Sequence, residues 1–441
     1  MKVKYFILLL LFGAVSIGSA QSKKIDFTEY NLNNGLHVIL RQDTSTPIVA
    51  VSVLYHVGSK NEQPNRTGFA HFFEHLMFEG STNIKRGEFM KIVQNNGGEL
   101  NANTTQDRTY YYDILPSNQL ELGLWLESER MFHLKIDSIG VETQRKVVKE
   151  EKKQRLDNQP YGTVLQETFK HAYKVHPYRW VPIGSAQYID KATLKEFRDF
   201  YKEFYVPNNA VLTIVGDINI AQTKKWVKKY FETIPRGTEK IYRPSVVEPP
   251  QTAEVVDTVY DNIQLPLVLF AYHIPKENSN DTYALDMLTT LLSRGKSSRM
   301  YKSLVDEQQV ALQAGAFPMS LEDPGLFLTF AVANAGKTGA ELEEAMNAQI
   351  NLVINNEISN KEFEKLQNQQ ESSFVNSNST DAGVAASLSN YYVFYHNTNL
   401  INTVLNKYKA VTKEDIQRVA KKYLTKQNRV VLYYLPKSAK K

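Results

Sequence analysis

The segment HFFEH at positions 71–75 holds two histidines four residues apart, with a glutamate between them. In a helix, residues i and i+4 project from one face, which lets two imidazoles bind one zinc ion at about 2.0–2.1 Å. Glu74 lies on the same side, where its carboxylate can reach a zinc-bound water. We interpret the pattern as His-x-x-Glu-His, the inverted order of the commoner His-Glu-x-x-His zinc motif. The competing interpretation is a pair of core or surface histidines.

A catalytic zinc site needs a third protein ligand and an open position for water. The chain has no cysteine, so histidine or carboxylate must supply that ligand. A charged helix is predicted over 142–156. If Val147 and Val148 mark its buried face, Glu151 projects between them at 100° per residue, whereas Glu150 turns toward solvent. This argument favours Glu151, although most glutamates in so charged a helix are simply solvated.

The segments that must position these residues include both strands and helices. Strands are predicted over 48–56, 109–114 and 210–215, and helices over 120–132, 142–156 and 194–204. The strands do not alternate regularly with single helices. We therefore predict an α+β fold of mostly antiparallel sheets packed with helices, rather than a doubly wound parallel sheet.

The two halves of the chain look like copies of each other. A strand-like stretch and the tripeptide Lys60-Asn61-Glu62 in the first half match a strand-like stretch and Lys276-Glu277-Asn278 in the second. A helix and strand over 194–215 match those over 412–433, at a similar offset. Chance similarity of amphipathic elements is the alternative, and the shared order and spacing favour an internal duplication.

A proline-rich break separates the halves. Four of the 16 prolines fall between positions 235 and 250, and proline both removes a hydrogen-bond donor and fixes the backbone. We predict a linker over 236–250, between a zinc-binding domain over 21–235 and a homologous, inactive domain over 251–441.

The first twenty residues predict a cleaved signal peptide, with Lys2 and Lys4 before an apolar run over 6–17 and small residues at 18–20. A membrane span needs about 20 apolar residues, so we expect export, to a bacterial periplasm, rather than a membrane anchor. The chain has 52 basic and 47 acidic residues, a net charge of +5. Such a balance gives no reason to expect a nucleic-acid partner.

The stretch 68–81, GFAHFFEHLMFEGS, resembles the inverted-motif zinc peptidases of the pitrilysin type, which include insulin-degrading enzyme and the mitochondrial processing peptidase. The resemblance covers nearly the whole mature chain. The family places a third ligand, a glutamate, about 76 positions after the second histidine, which is position 151 here. The resemblance therefore implies a zinc endopeptidase with His71, His75 and Glu151 as ligands and Glu74 as the group that activates the zinc-bound water.

A second stretch, GGELNANTT at 97–105, resembles the family's glycine pair followed by an edge strand. In relatives that strand pairs with the substrate backbone at the positions matched by Asn101 and Ala102. Such strand addition implies a peptide or unfolded polypeptide as substrate. The alternative is an ordinary turn and strand. The segment HPY at 176–178 with Ile183 and Gly184 also resembles a family segment, to which we assign a structural role.

The second half departs from the family pattern of an active unit. Shifting the motif by 215 positions gives Asp286, Thr289 and Thr290, which cannot reproduce the ligand set. Active members also use an arginine and a tyrosine seven residues apart, and the matching positions hold Val305 and Leu312. The resemblance thus implies a heterodimer with an inactive pitrilysin-like subunit that supplies the Arg/Tyr pair. The alternative is a catalytically weak member that serves as a peptide-binding or assembly subunit.

Overall fold

The computed structural model describes residues 24–440, so the predicted signal peptide over 1–20 lies outside the described residues. Within this range the strands are β1 (Thr28–Asn31), β2 (His37–Gln42), β3 (Ile48–Tyr55), β4 (Glu99–Thr104), β5 (Thr109–Pro116), β6 (Ala210–Gly216), β7 (Val255–Asp261), β8 (Leu267–His273), β9 (Ala311–Met319), β10 (Leu326–Ala333) and β11 (Arg429–Pro436).

The α-helices of the first half are α1 (Phe69–Leu76), α2 (Phe89–Asn95), α3 (Leu120–Phe132), α4 (Ser138–Lys152), α5 (Val164–Ala172), α6 (Ala186–Lys191), α7 (Leu194–Phe204) and α8 (Ile220–Phe231). Those of the second half are α9 (Asp281–Ser293), α10 (Gly339–Asn355), α11 (Asn360–Ser377), α12 (Asp381–Tyr395), α13 (Leu400–Ala410) and α14 (Lys413–Tyr423). None of these helices is both long and apolar enough to cross a membrane.

The strands form two sheets with the same internal order. The first sheet runs β1-β2-β6-β3-β5-β4, and the second runs β7-β11-β8-β10-β9. Apart from the extra β1, each order is first, fifth, second, fourth and third strand of its half. Only β2–β6 and β7–β11 pair in parallel, and the other neighbours are antiparallel. This confirms the predicted α+β class and its two homologous domains.

The first sheet is buried on both faces, because the alternating side chains of its central strands are apolar on either side. On β3, Val51 and Val53 point into a core shared with the helices of the first half. On the opposite face, Ala50 and Leu54 pack against α12, which comes from the second half of the chain. A buried hydrogen-bond contact of 2.8 Å between the hydroxyls of Thr213 and Ser389 joins this helix to β6.

The exchange is reciprocal, because α5 from the first half covers one face of the second sheet. Phe169 and Ala172 of this helix pack with Leu269 and Leu432. The predicted linker over 236–250 contains no helix or strand, yet it is held in place, since the carboxylate of Glu248 accepts three backbone N–H groups at 174–176. The predicted boundaries remain a prediction, and packing contacts cross them in both directions.

Candidate active site

The motif helix α1 turns its apolar side to the core and its two histidines toward α4. Phe72 and Phe73 are fully buried, and the Phe72 ring stacks on Phe197 of α7 at 4.6 Å between centroids. This packing fixes the rotation of α1 about its axis. As a consequence His71 and His75 lie together on the opposite side, with ring centroids 4.9 Å apart.

Helix α4 brings Glu151 to the two histidines in its last turn. The helix begins at an N-cap, Asp137, whose carboxylate accepts the N–H of Gly140 at 2.8 Å. The prediction that Val147 faces the core is wrong, since its side chain is 43% exposed. The buried stripe instead runs through Val141, Arg145 and Val148, the i, i+4 and i+7 positions of one helix face. Glu151 lies three residues after Val148 and points inward.

The structure brings the three predicted metal ligands together. Glu151 Oε2 lies 2.9 Å from His75 Nε2 and 3.5 Å from His71 Nε2. One ligand atom from each residue lies within 4.8 Å of the others. Glu150, the carboxylate rejected from the sequence, is exposed.

The chemistry of this donor set fits zinc. Burial, together with the neighbouring His75, lowers the pKa of His71 to about 4, so its imidazole is neutral and can donate a lone pair. Contact with His75 lowers the pKa of the Glu151 carboxyl, which is therefore ionised. Glu151 Oε2 is buried without a well-directed hydrogen bond from residues 24–440. Two imidazoles and one carboxylate are a usual ligand set of catalytic zinc.

Glu74 stands one residue before His75 on the same helix, and it is partly buried. Burial raises the pKa of its carboxyl above the ordinary value. A carboxylate whose pKa moves toward neutrality accepts a proton more readily, which suits a general base.

Sequence reasoning missed Arg155, which lies beside the site. Its Nη1 is 2.8 Å from Glu151 Oε1, so one oxygen of the carboxylate is paired while the other faces the two histidines. Arg155 lies in a π-helical turn, Lys153–Asp157, that continues α4. The i, i+4 spacing of Glu151 and Arg155 was the available signal.

Strand β4 is the free edge of the first sheet, since only β5 pairs with it. Asn101 is exposed and Ala102 is half-buried on this edge. The N–H of Ala102 donates to the side-chain oxygen of Asn101 at 2.8 Å, so a side chain rather than a strand satisfies it. The edge is therefore open to an added strand.

The two residues at the family's Arg/Tyr positions lie in the second half. Val305 belongs to a second π-helical turn, Tyr301–Glu307, and packs partly buried against the core of that half. Leu312 lies on β9, the edge strand of the second sheet, with its side chain 61% exposed. Neither side chain carries a hydrogen-bond donor.

Comparison with known proteins matches two family models to the chain, described as Insulinase (Peptidase family M16) over residues 37–179 and Peptidase M16 inactive domain over 191–370. The chain is 33% identical to the zinc protease PqqE of Helicobacter pylori, over 98% of this chain and 97% of that protein. A solved protease from Helicobacter pylori superposes with a TM-score of 0.90 at 32% identity, covering 94% of this chain and 100% of that one. The periplasmic protease PqqL from Escherichia coli has a similar fold, with a TM-score of 0.75 at 18% identity, over 94% of this chain and 48% of that one.

Proposed function

Because the chain belongs to peptidase family M16, we propose that it is a zinc-dependent endopeptidase whose ligands are His71, His75 and Glu151. The observation that carries this proposal is the convergence of the three ligand atoms within 4.8 Å of one another. Glu74, whose carboxyl pKa is raised, directly precedes His75 in the sequence. Among the described residues, no comparable group of ligand atoms lies in the second half, which supports placing the proposed reaction centre in the first half.

The residues of the first half divide the chemistry between them. His71, His75 and Glu151 would hold the zinc ion, which would supply a Lewis acid for the scissile carbonyl and for a water molecule. Glu74 accepts the proton of the attacking water and passes it to the leaving amine. Arg155 holds one oxygen of Glu151, which leaves the other oxygen to face the histidines.

The substrate would be a peptide or an unfolded polypeptide that adds as a strand to β4. Main-chain hydrogen bonds to such an edge give affinity with little dependence on side chains. The amide of Ala102 is a natural first donor, because only the flexible side chain of Asn101 covers it. An extended peptide on this edge would run past α1, which contacts β4.

The active form would be a heterodimer with an inactive pitrilysin-like subunit, in a bacterial periplasm. Val305 and Leu312 cannot donate hydrogen bonds to the oxyanion that forms on the scissile carbonyl. The periplasmic protease PqqL matches this chain over only 48% of its own length, which supports an architecture of two such units. A partner bringing an arginine and a tyrosine would complete the site.

Zinc analysis and a peptide-cleavage assay on the purified chain test this proposal. We expect about one zinc per chain, together with cleavage of an unstructured peptide that a chelator stops. The second candidate is a peptide-binding or assembly subunit without turnover, which the side chains at 305 and 312 favour. Peptide binding without any cleavage, even beside a partner that carries the Arg/Tyr pair, would support that candidate instead.

A further inference from the structure

Three consecutive residues before the motif helix reach three different parts of the molecule. Lys60 forms ion pairs with carboxylates of both halves. The side-chain amide of Asn61 donates to the carbonyl of Tyr242 in the linker region at 3.0 Å. Glu62 turns to the start of α1. The sequence shows this tripeptide as part of the repeat, but the chemistry of the zinc site does not use it.

Glu62 is a buried carboxylate with both oxygens engaged at the N-terminus of α1. Its side chain is 2% exposed. Oε2 accepts the N–H of Gly68 and Oε1 accepts the N–H of Ala70, each at 2.9 Å. These amides belong to the group at a helix start that has no partner within the helix.

The helix cannot obtain this cap from its own N-cap residue. That residue is Gly68, which has no side chain and adopts a left-handed conformation with φ of 102°. The backbone at Gly184 approaches so closely that a Cβ there would lie 2.2 Å from the nitrogen of Gly68. Since a serine or aspartate cap is absent, a carboxylate from six residues upstream replaces it.

Helix α1 has only eight residues, so its first turn, which Glu62 caps, lies close to both His71 and His75. Helices of this length are marginal without tertiary support. His71 is the third residue of α1, within the turn that Glu62 fixes. We propose that Glu62 is a positioning residue for the zinc site, which holds the first turn of α1 so that His71 and His75 face Glu151. This inference rests on the proposed function.

The capping loop is itself anchored outside α1. Lys60 Nζ lies 2.9 Å from Asp107, 2.5 Å from Glu322 and 3.2 Å from Asp323, and its side chain is almost fully buried. Glu322 and Asp323 belong to the second half. The position of Glu62 is therefore set by contacts that do not depend on α1, as a positioning role requires.

A substitution that keeps the shape but removes one of the two acceptor oxygens tests the inference. Glu62→Gln leaves one acceptor oxygen for two amides. We expect its zinc affinity, measured by competition with a chelator, to fall about tenfold or more, the range found for residues that orient metal ligands. The visible absorption of the cobalt-substituted protein should change as well, because it reports the geometry of the ligands.

Glu341→Gln is the control variant. Glu341 caps α10 in the second half by accepting hydrogen bonds from the N–H and hydroxyl of Thr338. We expect Glu341→Gln to lower the melting temperature of the metal-free protein without changing zinc affinity. Glu62→Asp keeps the carboxyl group with a shorter reach, and it serves as the test variant if Glu62→Gln does not fold. Its zinc affinity should fall between those of the parent and Glu62→Gln.

The outcomes separate this inference from the proposed function. If the parent protein binds no zinc, the proposed function fails and takes the inference with it. If the parent binds zinc and both Glu62 variants bind it equally well, with an unchanged cobalt spectrum, only the inference is overturned. It is also overturned if Glu341→Gln loses as much zinc affinity as Glu62→Gln, because the effect would then be a general loosening of the helices.

Discussion

The two halves place the same kind of helix after the same strand, but they treat its polar groups in opposite ways. In the first half α1 follows β3, and both histidines converge with Glu151. His71 Nδ1 and Glu151 Oε2 are buried there without a hydrogen-bond partner among the described residues. In the second half α9 follows β8, and Asp286 accepts the hydroxyl of Tyr408 at 2.7 Å, while Thr290 accepts the side-chain amide of Gln370 at 2.8 Å. A shared fold thus carries two different arrangements of polar groups, and the proposed metal site lies in the half where Glu151 Oε2 is buried without a hydrogen-bond partner within residues 24–440.

The largest effect is expected from His75→Ala, which disrupts the group of metal ligands that distinguishes the first half from the second. His75→Ala takes away one of the three ligands that a catalytic zinc site requires, so the first half should become as inert as the second. We expect loss of both bound zinc and peptidase activity, measured by metal analysis and a cleavage assay. Stoichiometric, tightly held zinc in this variant would contradict the ligand assignment.

A second substitution separates metal binding from catalysis within the first half. Glu74→Gln is nearly isosteric and leaves the three ligands in place, so zinc content and melting temperature should hardly change. The rate of peptide cleavage should fall about 10²–10⁴-fold, the range for a lost general base. Cleavage at the parental rate would mean that another residue accepts the proton.

Adding a partner tests what the second half lacks. A pitrilysin-like subunit with the Arg/Tyr pair should raise turnover by about 10²–10³-fold, since one missing oxyanion donor typically has that effect. Zinc content should stay the same, and the rise should saturate at one partner per chain. Full activity from the isolated chain would rule the heterodimer out.

The stabilising effect of Glu322, which pairs with His56 and Lys60 of the first half, should depend on pH. Burial acts to raise the pKa of Glu322, but His56 and Lys60 outweigh it and lower the pKa to about 2. A carboxyl with a lowered folded-state pKa stabilises the fold above its unfolded value, and this contribution is lost as the pH falls from about 4.5 to about 2. Urea unfolding should show Glu322→Gln to be less stable by up to about 3 kcal/mol at pH 7. Equal differences at pH 7 and pH 3 would contradict the assignment.

The smallest effect is expected at the second-half counterpart of the zinc site. Asp286→Asn keeps an oxygen that can accept the Tyr408 hydroxyl, so stability should change by no more than about 1 kcal/mol. Zinc content and activity should be unchanged. A loss of zinc from this variant would show that the two halves do not differ in the way described.

The sequence alone predicts the local parts of this molecule well. The predicted helices over 120–132 and 194–204 are α3 and α7 with the same bounds. The apolar periodicity is strong in α7. The helical-face argument for Glu151 rests partly on a wrong premise, since Val147 is exposed, whereas the family spacing points to Glu151 independently. Periodicity reports that a helix has an apolar side, but it does not say how wide that side is or what covers it.

The parts that could not be predicted depend on contacts between distant segments. Nothing in the local pattern of α5 or α12 indicates that each packs on the sheet of the other half. The Glu62 cap joins residues that are close in sequence, but no sequence pattern predicts it. The N-cap Gly68 has no side chain that could accept a hydrogen bond, so the capping group comes from outside the usual N-cap position. The i, i+4 spacing relates Arg155 to Glu151, but its place beside the site follows only once the inward orientation of Glu151 is known.

The reciprocal exchange of α5 and α12 has a consequence for how this duplicated chain can be divided. A fragment ending at residue 235 would keep α5 without the sheet it covers, and would leave Ala50 and Leu54 bare to water. Exposed apolar surfaces of this kind drive aggregation. The two copies therefore no longer behave as modules that can be expressed, shuffled or replaced one at a time. A split gene would yield working protein only if its two products folded around each other.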